Sequence, residues 1–172
     1  QVIAFDLPGF GRSAVLADGT IPNAHNIIKS LGLKLKAMGI NEPVDFAGNS
    51  LGGYLSWRYT VHYPTKVKKL ILVDSAGYSM PTPAAVLLTR HQLTRHFVKF
   101  VTPLPFVIQS VRSVYGDSSR IPRGTIRRYQ DLLRREGTRA AIADMMRGMT
   151  SDSPDIKLIR TPTLVMWGAK DT

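Results

Sequence analysis

The sequence predicts an α/β fold with a parallel sheet, on three observations. Short apolar runs rich in β-branched residues recur at 1–5, 44–47, 69–73 and 163–167. They give way to Asp6, Gly48, Asp74 and Gly168, residues on which a strand enters a turn. Helix-like stretches separate the first three runs, and strand, helix, strand, helix, strand is the grammar of crossover connections. The runs are unbroken rather than alternating, which suits strands covered on both faces.

Each element follows from its residues. Residues 1–5 run into Pro8, Gly9 and Gly11, so a strand and then a tight turn are expected. Over 22–39, Ile27, Ile28, Leu31, Leu35 and Met38 fall at helical steps, with Pro22 and Asn23 before them and Gly39 after. Residues 51–63 read as a second helix, stopped by Pro64. Between the third and fourth strands lies a long stretch, 79–155, with no strand pattern. Helices are expected near 84–101, 105–115, 122–136 and 138–149, punctuated by Pro103, Pro105, Gly116, Pro122 and Gly137. The chain thus reads as sheet core over 1–78, a helical insertion over 79–155, and core again over 156–172.

Composition narrows the class. A chain of 172 residues, 44% hydrophobic and without cysteine, can bury a core and has no disulfide framework. No apolar run approaches the roughly 18 residues of a membrane span. The net charge of +11 is regional: residues 90–150 carry 12 Lys and Arg against 4 acids. There Arg123, Arg127, Arg128, Arg134 and Arg135 alternate with Ile126, Tyr129, Leu132 and Leu133 at helical spacing, which describes an amphipathic helix with a solvated arginine face. No helix-turn-helix, zinc-finger or RNA-recognition signature accompanies the charge, so a nucleic-acid function is not expected. An anionic lipid or nucleic acid bound by this basic region stands as an alternative class.

The chemistry lies in Gly48-Asn49-Ser50-Leu51-Gly52, a G-x-S-x-G sequence. Alone it arises by chance in about one chain in twenty of this size, so its context must decide. A strand precedes it and a helix follows, as a nucleophile elbow requires. Small residues at 48, 52 and 53 let strand and helix cross closely. The hydroxyl is then presented beside a helix N-terminus, whose unpaired N–H groups suit an oxyanion. The bland reading is a glycine-rich turn with an incidental serine.

With residues 5–13 (FDLPGFGRS), 72–75 (LVDS) and 163–171 (TLVMWGAKD), the elbow makes the chain resemble the α/β-hydrolase superfamily. The resemblance runs along nearly the whole chain and is closest to the capped serine esterase, lipase and carbon–carbon hydrolase branch. It implies a partial α/β-hydrolase parallel sheet of about four strands, the family's fourth to seventh, with 79–155 as the helical cap. It implies Ser50 as nucleophile and Leu51 as donor of one oxyanion-hole N–H. It places the triad acid at Asp171, with Asp74 as rival or as a structural carboxylate. Asp6 and Arg12 are expected to hold the turn after the first run. Asn49 and the cap residues Phe97, Phe100 and Phe106 are candidate substrate contacts, with Leu104 and Val107 beside them. Ordinary cap core is the other reading of these apolar residues.

The family order Ser, acid, His places the base after Asp171. His62 lies about 18 Å along a helix from Ser50, which is too far. His25 reads as a surface residue, and His91 and His96 fall in the cap. The sequence therefore reads as an internal stretch of a larger domain, lacking the histidine, the upstream oxyanion loop and a central strand. Expressed alone, it is expected to be unstable and inactive. For the intact protein the reading is a serine hydrolase acting on an apolar ester through an acyl-enzyme, with no metal and no cofactor. Ser50 argues against the Asp-nucleophile epoxide hydrolases and haloalkane dehalogenases of this fold. Alternatives are a carbon–carbon hydrolase of ring-cleavage products and a non-catalytic binding protein. Retention of both Ser50 and Asp171 speaks against the last.

Overall fold

The computed structural model describes residues 1–14, 23–77, 103–148 and 154–171. The helix expected over 84–101 lies outside the described residues, with His91, His96, Phe97 and Phe100. The chain divides into two compact units, residues 23–81 with 149–172, and residues 1–22 with 82–148.

The first unit is a sheet with two helices. α1 (Ala24–Ala37) starts at Asn23, whose side chain accepts from the Asn26 N–H at 2.9 Å, satisfying one of the helix's unpaired donors. Its buried stripe is Ala24, Ile27, Ile28 and Leu35, and Met38 is the exposed C-cap. β1 (Val44–Asn49) leads into α2 (Leu51–His62), and a short 3-10 turn follows at Pro64. β2 (Val67–Val73) and β3 (Thr163–Met166) complete a parallel sheet in the order β1-β2-β3. α2 packs against α1 and against β1 and β2. That position explains its composition: Tyr54, Leu55, Trp57 and Tyr59 are all buried, so no polar face is needed. Each such side chain contributes about 1.5–3 kcal/mol of burial. Phe46 of β1 stacks on Tyr59 with ring centroids 4.6 Å apart.

Two expectations change. Three strands pair, not four, because residues 1–7 form no ladder among the described residues. An extended run becomes a strand only when a neighbour takes its N–H and C=O groups. Instead Val2 is 95% exposed, and the next residues close a turn. The Asp6 carboxylate accepts the Arg12 backbone N–H at 2.9 Å, and the Ser13 hydroxyl donates to the Asp6 carbonyl at 2.7 Å. The second change is coverage. Leu70 and Leu72 are buried, but β1 alternates between half-buried and exposed positions and every β3 residue is exposed. Apolar sequence shows that a strand can be covered; the neighbours decide whether it is.

The second unit holds three helices: α3 (Leu104–Tyr115), α4 (Thr125–Arg134) and α5 (Thr138–Gly148). α3 packs on α4, and α4 on α5. Val107, Val111, Ala141, Ala143 and Met145 form the interior. The arginine face of α4 is solvated, as its spacing predicts, and none of its residues is fully buried. Arg135 ties 1–14 to this unit by donating to the carbonyls of Gly11 and Arg12.

Candidate active site

Ser50 stands between the last residue of β1 and the first of α2, at φ 50° and ψ −115°. A non-glycine residue there carries strain of about 1–3 kcal/mol. Neighbouring backbone holds it in place. The Ser50 N–H donates to the Val73 carbonyl at 3.0 Å, and its carbonyl accepts from Tyr54 at 3.0 Å and Ala76 at 3.1 Å. Its side chain makes no capping bond to the helix, and the residue is exposed. The first N–H groups of α2, beginning with Leu51, have no partner one turn back.

The small residues of the elbow differ in their duties. A Cβ on Gly48 would lie 2.3 Å from the Gly52 carbonyl carbon and oxygen, and 2.5 Å from the Gly53 nitrogen. One on Gly53 would lie 2.5 Å from Ser75 Oγ and 2.7 Å from Ser75 Cβ. One on Gly52 would meet nothing within 4 Å. The strand–helix crossing therefore rests on Gly48, and contact with the segment after β2 rests on Gly53.

That segment is a support the sequence reading did not single out. Ser75 fills the notch at Gly53, and Ala76 takes the Trp57 indole N–H at 3.1 Å. Gly77, at φ 100°, lies against Tyr54 and Trp57, where a Cβ would come within 2.4 Å of Tyr54 Cδ2. The signal was Ser-Ala-Gly after a strand, three small residues in a row.

Both candidate acids follow strands of the same sheet. Asn49, Val73 and Met166 stand in one row of the register, so Ser50, Asp74 and the loop after β3 leave at one edge. The Asp74 carboxylate accepts the Gly168 N–H at 2.7 Å, and Asp74 itself is at φ 43°. Asp171 follows in an exposed turn in which its N–H donates to the Gly168 carbonyl at 3.0 Å. The Trp167 indole donates to the Asp171 carbonyl at 3.1 Å. Among the described residues nothing hydrogen-bonds the Asp171 carboxylate. Gly168 lies between the two: its Cβ position is 3.6 Å from Asp74 Oδ1 and 3.7 Å from Asp171 Cβ.

The other candidates separate. Asn49 turns its amide onto the Val73 carbonyl at 3.3 Å, a bond within the sheet. Phe106 and Leu104 are exposed on α3, whereas Val107 is buried interior. His62 sits at the far end of α2 with Nδ1 on the Arg58 carbonyl at 2.9 Å, its ring 6.0 Å from that of the exposed His25. Neither ring is at the elbow. No group of three metal-ligating side chains occurs among the described residues.

The family model for the alpha/beta hydrolase fold matches residues 1–172. The chain belongs to the α/β-hydrolase family. It is 26% identical to a 2-hydroxy-6-oxo-6-(2'-aminophenyl)hexa-2,4-dienoic acid hydrolase of Metapseudomonas resinovorans, over 99% of the chain and 58% of that protein. It is 25% identical to Lipase 1 of Psychrobacter immobilis, over 99% of the chain and 54% of the lipase. Among solved structures it resembles a meta-cleavage product hydrolase from Pseudomonas fluorescens IP01, with TM-score 0.74 and 19% identity, over 94% of the chain and 59% of that one. The chain spans less than two thirds of the length of these relatives. No helix among the described residues is long and apolar enough to cross a membrane.

Proposed function

We propose that the intact protein is a serine hydrolase that attacks a carbonyl carbon through Ser50 Oγ. The observation that carries this is the strained backbone of Ser50, with its hydroxyl off the capping position at the start of α2. A serine there for helix capping alone would use its side chain and take an ordinary extended backbone. Strain held by three backbone hydrogen bonds is what a presented nucleophile needs.

The chemistry follows the family pattern. A histidine supplied beyond Asp171 takes the Ser50 proton as Oγ bonds to the carbonyl carbon. The oxygen gains the charge and is met by the Leu51 N–H. The histidine returns the proton to the leaving alcohol, and water then releases the acyl group and restores the serine. β1 and β3 are two strand spacings apart, about 9–10 Å. That leaves room for one imidazole with a hydrogen bond of about 2.6–3.2 Å on each side. Asp171 is the proposed triad acid, and Asp74 the brace that fixes the acid loop through Gly168. The substrate is an ester with an apolar part, and the cap over 79–155 supplies the apolar wall. A second reading, carbon–carbon cleavage of a ring-cleavage product, draws on the relatives of that activity.

Fluorophosphonate labelling of the intact protein is expected at Ser50 and lost in Ser50→Ala without a fall in melting temperature. Labelling that survives the substitution refutes the assignment. Turnover of p-nitrophenyl esters against that of a vinylogous diketone separates the two substrate readings.

A further inference from the structure

We infer that the groove between α3 and α4 is a docking face for an anionic lipid surface. The groove encloses about 630 Å³ and is lined by Leu104, Arg112, Ile121, Arg123, Ile126 and Arg127, among others. All of these belong to one unit. The face is cationic and apolar at once. Residues 103–148 carry 9 Arg, no Lys and 4 acids.

The charge is largely unspent. Arg112 and Arg123 have no ion pair or hydrogen bond among the described residues. Arg127 reaches Asp131 only at 3.9 Å between exposed side chains, and Arg120 pairs with Asp117 at 3.4 Å across a solvated turn. Pairs of that kind are screened and weak. A guanidinium binds phosphate and carboxylate oxygens bidentately and is weakly hydrated, so it suits a headgroup layer. Apolar side chains share that lining: Leu104 is exposed, and Ile121 and Ile126 are half-buried beside the arginines.

A solvated arginine face explains the charge but not Leu104, Ile121 and Ile126 in the same lining. A single-stranded nucleic acid would use the arginines but also needs aromatic rings to stack on, and none lines this groove. An interfacial membrane site uses both kinds of side chain: cations to the headgroups and aliphatics below them. A headgroup layer presents many anions at once, which a single soluble anion does not.

The test is co-sedimentation of the intact protein with phosphatidylcholine vesicles, with and without about one third phosphatidylglycerol. At low salt, binding is expected only to the anionic vesicles, and it falls steeply as salt shortens the screening length. Arg112→Gln/Arg123→Gln/Arg127→Gln is expected to lower partitioning about 100-fold, about fivefold for each arginine. The corresponding Lys triple retains binding, which separates lost charge from a lost fold. Leu104→Ser weakens vesicle binding as well. Lys29→Gln/Lys34→Gln/Lys36→Gln removes as much charge from exposed positions in the other unit and leaves binding unchanged. Equal loss in that control, or no preference for anionic vesicles at low salt, overturns the inference. So does binding of a single-stranded oligonucleotide through the same arginines without vesicle binding.

Discussion

The elbow glycines offer a test in which two similar substitutions should act with opposite sign. Gly48→Ala adds a methyl 2.3 Å from the backbone carbon and oxygen of Gly52. Backbone cannot rotate away as a side chain can, so α2 must lift from β1. Overpacking costs typically 1–3 kcal/mol even where side chains can yield, so about 3 kcal/mol is expected here. Gly52→Ala adds the same methyl where nothing lies within 4 Å. It also replaces glycine inside a helix, which favours folding by about 0.4–1 kcal/mol. At about 2–4 °C per kcal/mol for a chain of this size, Gly48→Ala lowers the melting temperature by about 6–12 °C and Gly52→Ala raises it by about 1–4 °C. Thermal scans and urea titrations of the intact protein read both. Equal effects of one sign, or a Gly48→Ala protein as stable as wild type, would show that the strand–helix approach is not what these glycines serve.

Gly53→Ala is expected to cost about 1–3 kcal/mol, because its methyl meets Ser75 at 2.5–3.0 Å. Ser75→Gly should recover part of that in a double-mutant cycle, read as coupling of about 0.5–3 kcal/mol. Asp74→Ala should lower stability by about 1–2 kcal/mol through loss of the charge-assisted bond to Gly168. Asp171→Asn should leave stability nearly unchanged and abolish turnover; the reverse pattern would exchange the roles of the two acids. Burial, and secondarily Tyr63, raises the Tyr59 hydroxyl above its usual 10.0. The folded protein then holds that proton more tightly than the unfolded chain. This contribution is fully present below about pH 10 and is lost as pH rises through the folded value. Tyr59→Phe should therefore flatten the alkaline limb of a stability–pH curve.

Much of this was legible in the residues, and the parts that were not share a cause. The spacing of Ile27, Ile28 and Leu35 marked the buried stripe of α1, since helical period is a local property of the chain. The strand, turn and helix around Ser50 were legible because glycine, serine and glycine between two apolar stretches form a short-range pattern. The apolar run at 1–5 pairs with no strand among the described residues, since sequence records the propensity of a segment and not its ladder partner. Asp74 and Asp171, 97 positions apart, read as rivals. The fold sets them on either side of Gly168, with one carboxylate on its N–H.

The sequence by itself determined the α/β class, the order of elements and the serine at the turn. These follow from local periodicity and from residues that only certain backbone angles accept. Tertiary structure decided what is a relation between distant segments. It separated Gly48, which backbone crowds, from Gly52, which nothing crowds. It set Ser75, Ala76 and Gly77 against α2. Steric approach and burial depend on which atoms arrive from elsewhere in the chain, and no local pattern encodes that.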